Sequence, residues 1–233
     1  MATLSFQTTP TYELTLSSNG KKIKYRPFIV KEEKILLMAL QEGDENGIIV
    51  AIKEIISACT FGVLDVEKLP TVDVEYLFIN LRNKSLGEGL DLEVYCTSCN
   101  AKNLITSNLE DIKIERNADV GNVFELSDEL KISMQYPTLE MTYNIETKNV
   151  EQTIELISKC IEFIEYKGKL HECSTLPLSE VIEFVEHLTQ QQLRKINTFF
   201  DSIPRTVFED RFKCLKCSAD NHIRVEGISS FFG

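Results

Sequence analysis

The sequence lacks the motifs that mark common catalytic sites. It contains no H-E-x-x-H metalloprotease motif, no P-loop and no G-x-S-x-G nucleophile motif. Only three histidines are present, His171, His187 and His222. Carboxylate pairs such as Glu32-Glu33 fit the acidic first turn of a helix better than an acid/base pair. We therefore predict that the protein is not an enzyme and acts on no small-molecule substrate.

Long apolar runs and basic runs are also missing. The best apolar candidate, residues 48–58, is too short to span a bilayer and contains Lys53 and Glu54. The N-terminal residues lack the basic and apolar segments of a secretory signal. The formal net charge is −11, and no Lys/Arg run exceeds Lys21-Lys22, which disfavours broad binding to nucleic acid. We predict a protein of a reducing cytoplasm with no membrane partner.

Four of the 7 cysteines form two Cys-x-x-Cys pairs, Cys96 with Cys99 and Cys214 with Cys217. Each pair lies at a polar corner between two strand-like runs, and small or polar residues follow it. Two such turns supply the four thiolates of a tetrahedral metal site. In a reducing compartment, this spacing is more often a metal or redox motif than a structural disulfide. We predict that the four cysteines bind one structural zinc ion in a split zinc ribbon.

Other interpretations of these residues stay open. Two isolated reduced turns are one alternative, and iron is another, because four thiolates also suit iron. A redox dithiol usually lies at a helix N-terminus, whereas a turn and a strand follow each pair here. His222 could replace one thiolate, and His171 and Cys173 could ligate as an H-x-C step. Cys59 and Cys160 fall on apolar helix faces and are predicted core residues.

The pattern predicts an α+β fold that begins with a β-hairpin and helices. Alternating residues flank Asn19-Gly20, a pair typical of hairpin turns. Thr189 and Gln192 have the spacing of a helix capping box, and Asn149 is a second predicted cap. The predicted helices are 30–43, 47–59, 72–84, 149–165, 181–188 and 189–200; the predicted later strands are 90–95, 103–107, 112–115, 130–136, 206–213 and 222–226.

This order predicts three regions. Residues 1–89 form the N-terminal hairpin and helical region, residues 90–115 with 206–227 form the zinc-ribbon-like module, and residues 116–205 form an inserted α+β region. Turn-rich sequence occurs at 87–89 and 117–122. At the C-terminus, Phe231 and Phe232 either anchor a partner or pack back onto the ribbon.

A local basic patch surrounds the second cysteine pair. Phe212 lies within this patch and alternates with its charged residues. Such alternation is typical of a strand with one buried face and one solvated face. The second hypothesis is therefore a zinc-ribbon nucleic-acid-binding regulatory protein, and the third is a metal-dependent or redox enzyme. The basic residues of the patch are Arg211, Lys213, Lys216, His222 and Arg224.

Two sequence blocks resemble a known family. The first is Lys-Tyr-Arg-Pro-Phe followed by Lys-Glu-Glu-Lys-Ile-Leu-Leu, at residues 24–37. The second contains Glu-Tyr-Leu-Phe, Leu-Arg, Lys-Ser and Gly-Glu, at residues 75–88. Both blocks resemble the baseplate hub subunits and hub assembly proteins of T-even-like contractile-tailed phages. The resemblance covers roughly the first 100 residues closely and the C-terminal Cys-x-x-Cys pair more loosely, and residues 115–205 carry no pattern specific to the family.

The resemblance implies a non-enzymatic protein of phage tail morphogenesis. Its expected partners are other baseplate hub and tail proteins, contacted in the host cytoplasm during assembly. Some relatives are incorporated into the virion and others act as assembly factors, and the resemblance implies both alternatives for this chain.

Overall fold

The computed structural model describes residues 9–87, 89–108, 112–116, 120–142 and 149–226. The chain divides into two units. The first comprises Met1–Val66, Val72–Glu115 and Arg205–Gly233, and the second comprises Glu67–Thr71 and Arg116–Pro204. Helices and strands occur in both units, so the predicted α+β class, with a hairpin followed by helices, is confirmed.

Strands and helices are numbered in chain order. The helices are α1 (Val30–Glu42), α2 (Glu45–Cys59), α3 (Thr71–Leu86), α4 (Leu139–Thr142), α5 (Val150–Cys160), α6 (Leu178–Glu186) and α7 (Gln190–Ser202). The strands are β1 (Tyr12–Thr15), β2 (Lys22–Tyr25), β3 (Gly89–Tyr95), β4 (Lys102–Asn108), β5 (Lys113–Glu115), β6 (Val123–Ser127), β7 (Leu130–Met134), β8 (Ile161–Tyr166), β9 (Lys169–Glu172), β10 (Arg205–Lys213) and β11 (Asp220–Glu226).

The first unit begins with the predicted β1–β2 hairpin. Its turn is wider than a two-residue Asn-Gly turn, because the Leu16 N–H donates to the Lys21 carbonyl over 2.9 Å. Gly20 adopts a positive φ of 69°, while the Asn19 side chain accepts a hydrogen bond from the Lys21 N–H. The turn loop is therefore closed by the Asn19 side chain as well as by backbone geometry.

Helix boundaries in the first unit follow local capping. Gly43, with φ of 69°, ends α1 as predicted, because glycine adopts the left-handed conformation at no steric cost. Asp44 then accepts hydrogen bonds from the Asn46 and Gly47 N–H groups. This cap starts α2 two residues before the predicted position, at residue 45 rather than 47.

Two β-hairpins in the first unit carry the cysteine pairs. β3 pairs with β4, and β10 pairs with β11 and, on its other edge, with β5; all three pairings are antiparallel. We call the β3–β4 and β10–β11 hairpins together the ribbon pair. The turn between β3 and β4, residues 96–101, is knuckle 1, and the turn between β10 and β11, residues 214–219, is knuckle 2.

The second unit contains an antiparallel sheet in the order β6-β7-β8-β9. Its core is a cluster of buried side chains from the sheet and from α5, α6 and α7. The cluster contains Leu126, Leu130, Ile132, Met134, Ile157, Cys160, Ile161, Ile164, Cys173, Val181, Val185, Ile196 and Phe199. Leu130, Ile132 and Met134 share the buried face of β7, as predicted.

The predicted helix over 149–165 is wrong in its second half. Asn149 caps α5 as expected, but the helix ends at Cys160 and residues 161–166 form β8. β8 pairs with β7, placing Ile164 opposite Ile132. Lys167 and Gly168 have φ of 51° and 75°, which gives a tight hairpin turn into β9. Tertiary pairing with β7 therefore overrides the helical periodicity.

Other differences are smaller. Strands β6 and β9 were not predicted, and α6 begins at Leu178 rather than at residue 181. The capping box of α7 is confirmed: the Thr189 hydroxyl accepts from the Gln192 N–H, and the Gln192 side chain accepts from the Thr189 N–H. Phe231 and Phe232, Glu88 of the 87–89 turn and residues 117–119 of the second predicted turn lie outside the described residues.

Candidate metal centre

The four predicted cysteines converge at the tips of the ribbon pair. The sulfur atoms of Cys96, Cys99, Cys214 and Cys217 all lie within 4.8 Å of one another. The Sγ–Sγ distance is 3.6 Å between Cys96 and Cys217 and 3.7 Å between Cys99 and Cys214. A Zn–S bond of about 2.3 Å places the sulfurs of a tetrahedral site about 3.8 Å apart. The donor set and its spacing therefore fit a single metal ion.

The two knuckles have the same backbone geometry. In knuckle 1, the Cys96 N–H donates to the Ala101 carbonyl and the Asn100 N–H donates to the Cys96 carbonyl, both over 2.9 Å. In knuckle 2, Cys214, Ala219 and Ser218 make the equivalent bonds at the same distance. Asn100 and Ser218 both have a positive φ, of 53° and 58°. The left-handed residue after the second cysteine turns each chain back into its return strand.

Burial divides the four sulfurs into two kinds. Cys96 and Cys214, the first cysteine of each pair, are buried, whereas Cys99 is half-buried and Cys217 is exposed. A metal ion at the centre would thus have two ligands on the protein side and a more open side toward Cys217. The chain offers four ligands for one ion, which is typical of structural rather than catalytic zinc sites.

Hydrogen bonds and neighbouring sulfurs shift the thiol pKa values in opposite directions. Burial raises the pKa of Cys96, but the Cys99 and Ser98 N–H groups and the Asn221 amide outweigh it and lower the pKa to about 6. The Cys217 N–H lowers the pKa of Cys214. The Ala219 N–H lowers the pKa of Cys217, yet the sulfurs of Cys99, Cys96 and Cys214 raise it to about 12. Four thiolates this close need a cation to compensate their charge.

Two asparagines that the sequence analysis did not single out complete the centre. The Asn103 Oδ1 atom accepts from the Leu215 N–H over 2.9 Å, and its Nδ2 atom lies 3.7 Å from Cys214 Sγ. Asn221 accepts from the Thr97 N–H over 2.9 Å, and its Nδ2 atom lies 3.6 Å from Cys96 Sγ. Each amide therefore reaches the knuckle of the opposite hairpin.

A sequence signal for the two asparagines exists. Residues 96–103 and 214–221 both read C-x-x-C-x-A-x-N, so the likeness between the two halves extends four residues past each cysteine pair. The alanine carbonyl of each repeat accepts from the cysteine N–H and from the asparagine Nδ2 atom of the same repeat. The repeat identifies the two asparagines, but not the fact that each contacts the other knuckle.

The other predicted ligand candidates lie elsewhere. Within the described ranges, the four cysteines are the one group of at least three His, Cys, Asp or Glu side chains with converging ligand atoms. The His222 ring faces Glu209, with its Nε2 atom 4.0 Å from Glu209 Oε1. Cys173 is buried in the core of the second unit, where burial raises its pKa to about 11.

Cys59 and Cys160 are core residues, as predicted. Both are fully buried. Burial raises the pKa of Cys59 to about 11 and that of Cys160 to about 12, so both stay protonated at neutral pH. Neither thiol has the lowered pKa of a reactive or metal-binding cysteine.

The predicted basic patch is balanced by carboxylates. Arg224 contacts Glu115, Glu209 and Glu226 at 2.7, 2.7 and 2.8 Å, and the hydrogen bonds that it donates to these carboxylates raise its pKa. Lys213 lies 3.8 Å from Asp220. Carboxylates interleaved with the cations reduce the positive potential that a phosphate backbone requires.

Comparison with known proteins identifies the family of the chain. The family described as T4 bacteriophage base plate protein matches residues 9–233, nearly the whole chain, and the chain belongs to it. The predicted phage baseplate resemblance is thereby confirmed. No curated protein and no solved structure gives a significant match. Across the described residues, no helix has both the length and the apolar character needed to cross a membrane.

Proposed function

We propose that this member of the T4 bacteriophage base plate protein family acts in tail morphogenesis, as a component of the baseplate hub or as a factor that assembles it. The observation that carries the proposal is the family match over residues 9–233. Family membership implies contacts with other phage structural proteins, and hub and tail proteins are the partners that we propose. The assembly step takes place in the host cytoplasm, before or during incorporation into the virion.

The proposed role is non-enzymatic. Among the described residues, the one group with converging metal-ligand atoms is the set of four cysteine sulfurs. Four sulfurs fill the coordination positions of a tetrahedral ion and leave none for a substrate. The nucleic-acid alternative has little support, because the acidic chain and the carboxylates around Arg224 disfavour phosphate binding.

The division into three regions stays a prediction. The regions are residues 1–89, residues 90–115 with 206–227, and residues 116–205.

The four-cysteine cluster is proposed to hold one structural zinc ion. Cys96, Cys99, Cys214 and Cys217 are the ligands, and the near-tetrahedral sulfur spacing supports the choice. Iron is the alternative metal, since four thiolates also bind it. The ion would tie residues 96–99 to residues 214–217 and so stabilise the ribbon pair.

Mass spectrometry of purified phage particles beside infected-cell extract tests the proposed role. A hub component is present in both samples at a constant ratio to other baseplate proteins, whereas an assembly factor is present only in the extract. Absence of the chain from assembling baseplates, together with normal tail formation after its deletion, would contradict both roles.

Elemental analysis tests the metal separately. The chain purified under reducing conditions is expected to contain about one zinc per chain, the stoichiometry of a single four-cysteine site. Iron at the same stoichiometry would replace zinc in the proposal. A folded, fully reduced chain with neither metal would remove it.

A further inference from the structure

The buried asparagines of the two knuckles are arranged reciprocally. Asn103 belongs to the first hairpin and contacts knuckle 2, while Asn221 belongs to the second hairpin and contacts knuckle 1. Their relative exposures are only 2% and 5%. A buried amide is costly unless it is hydrogen-bonded, so these contacts matter for the closed arrangement.

Each side-chain amide uses all of its hydrogen-bonding groups. For Asn103, Oδ1 accepts from the Leu215 N–H, while Nδ2 donates to the Ala101 carbonyl over 2.8 Å and faces Cys214 Sγ. The opposite orientation of the amide would place an N–H donor against the Leu215 N–H, so the network determines which atom is oxygen. An aspartate side chain lacks the N–H donors, and an alanine side chain lacks both the donors and the oxygen acceptor.

Asn221 repeats the same set of contacts in knuckle 1. Its Oδ1 atom accepts from the Thr97 N–H and from the Thr97 hydroxyl, over 2.9 and 3.0 Å. Its Nδ2 atom donates to the Ala219 carbonyl over 2.9 Å and faces Cys96 Sγ. Both amides thus hold a backbone N–H and a cysteine sulfur of the other hairpin.

Apolar packing offers little to hold these hairpins together near the knuckles. Along β3, every residue is half-buried or exposed, and the buried positions of β4 are Asn103 and Ser107. A second polar link joins the hairpins, because the Ser107 hydroxyl donates to Asp210 over 2.6 Å. Half-buried Val94 and Phe212 add apolar surface near the knuckles, but the fully buried groups there are the two asparagines and the first cysteine of each pair.

We propose that Asn103 and Asn221 are positioning residues that close the two knuckles on each other before a metal ion binds. The four sulfurs would then be held together in the metal-free protein, and the ion would enter a preformed site. The effect on metal affinity rests on the proposed zinc site, whereas the closure itself does not. The N–H donors of the two amides would also stabilise negative charge on Cys96 and Cys214.

Amide hydrogen exchange in the zinc-free, reduced full-length chain tests closure. Asn221→Ala should accelerate exchange of the Thr97 N–H by about tenfold or more and leave the Leu215 N–H protected, since Asn103 still accepts it. Asn103→Ala should do the reverse. This crossed pattern is specific to reciprocal contacts. Acceleration confined to the hairpin that carries each substitution, or no change in either amide, would overturn the proposal.

Two controls keep the measurement interpretable. Thr106→Ala removes an exposed hydrogen bond to Asp91 on the first hairpin and should change neither Thr97 nor Leu215 exchange. Exchange at Leu77 and Leu81, buried in α3 of the first unit, reports whether the unit that carries each substitution is folded. If the alanine variants lose this protection, Asn103→Leu and Asn221→Leu, which keep the side-chain volume but lack the oxygen acceptor, take their place in the exchange measurement.

Asn221→Asp separates the two functions of the amide. It keeps an oxygen acceptor for the Thr97 N–H but removes the donors to Ala219 and Cys96, so Thr97 should stay protected. Zinc affinity, measured by competition with a chromophoric chelator, should still fall by about 10- to 100-fold, the usual effect of losing a group that supports a metal ligand. Unchanged affinity in both Asn221→Asp and Asn103→Asp would overturn the effect on the metal.

The outcomes distinguish this proposal from the zinc proposal. If the wild-type chain binds no zinc but the two variants show the crossed exchange pattern, the asparagines close the knuckles and the zinc proposal fails. A chain that binds zinc but shows no crossed exchange retains the metal site and overturns closure by the asparagines.

Discussion

The ribbon pair and the four-stranded sheet are both antiparallel, yet they bury different chemistry. The sheet buries aliphatic and aromatic side chains; Phe199, for example, stacks on Tyr136 with ring centroids 5.7 Å apart. Near its knuckles, the ribbon pair buries Cys96, Cys214, Asn103 and Asn221 instead. Among the described strand residues of the two hairpins, the fully buried apolar side chains are Val207 and Phe208, in the first half of β10.

This difference in buried side chains shows which of the two regions can be stabilised by its own apolar packing. A four-stranded sheet covered by helices removes enough apolar surface from water to hold its own register. The ribbon pair buries few side chains near its knuckles, where the asparagine contacts and, in our proposal, a shared metal ion supply the cross-links. Substitutions should therefore act on one structure and spare the other.

The largest expected effect comes from removing one sulfur. Cys96→Ser and Cys214→Ser should each reduce zinc from about one per chain to near zero, because each leaves three thiolates in a site that needs four. Amide protection should fall in both hairpins of the ribbon pair and persist in β7 and β8. Elemental analysis and hydrogen exchange measure the two effects.

Cys160→Ala is the matched control for this prediction. It removes a fully buried thiol from the core of the second unit and should leave zinc content unchanged. If either Cys96→Ser or Cys214→Ser retains zinc at the wild-type level, the cysteine pairs do not share one site.

The converse substitution is Phe199→Ala in the second unit. Phe199 is 2% exposed and contacts Phe124, Tyr136 and Phe200. Truncating it should lower the free energy of unfolding of this unit by about 3–5 kcal/mol, through lost burial and a cavity. Denaturant unfolding followed by exchange of β7 amides measures the change. Zinc content should stay at the wild-type level, and its loss would show that the two regions are not independent.

A third prediction concerns a polar contact of the first unit that involves no sulfur. Asp73, fully buried at the start of α3, accepts from the Ser17 N–H and hydroxyl, both over 2.8 Å, and from the N–H and hydroxyl of Ser18. Asp73→Asn replaces one acceptor with a donor that faces these groups. The loss in unfolding free energy should be about 1.5–3 kcal/mol, the range for hydrogen bonds to a charged group.

Thermal unfolding measures the Asp73→Asn effect, and Asp91→Asn serves as an exposed control on β3. Equal stability of the two variants would show that the turn after β1 is not held by Asp73.

The smallest effect is expected from pH. Burial raises the pKa of Glu32, but the Arg26 guanidinium and the Ile29 N–H outweigh this and lower it below its ordinary value of 4.5. The ionised form is therefore preferred in the folded state. Its stabilisation is complete above pH 4.5 and is lost as pH falls through the lower folded value.

Glu32→Gln tests this contribution. The variant should be less stable than wild type at pH 7, and the difference should shrink on acidification below pH 4.5. Chemical denaturation at several pH values measures both trends. A difference that grows on acidification would have the wrong sign for a lowered pKa.

The blocks that carry the family resemblance are explained by tertiary contacts. Arg26 contacts Glu32 at 3.0 Å and so links β2 to α1. Ser85, in the second block, accepts from the Phe28 N–H over 2.9 Å. Sequence patterns alone show these residues as polar groups beside helices. Phe28 and Ser85 are 57 residues apart, so no local pattern could identify their contact.

Local sequence predicted those features whose causes are local. The turn residues of the first hairpin, the caps at Asn149 and Thr189, and the alternation of β3 and β10 depend on neighbours a few residues away. β8 could not be predicted in this way, because the helical period through residue 165 competes with pairing to β7. The long-range partner decided the conformation of these residues.

The sequence by itself determined the donor chemistry of the candidate metal centre. Two C-x-x-C-x-A-x-N repeats specify four thiolates on two tight turns, because the spacing within each repeat lets both sulfurs face one point. Only the tertiary structure decided that each asparagine contacts the opposite knuckle. That arrangement depends on the register between hairpins more than 100 residues apart in the chain, and no periodicity within either hairpin encodes it.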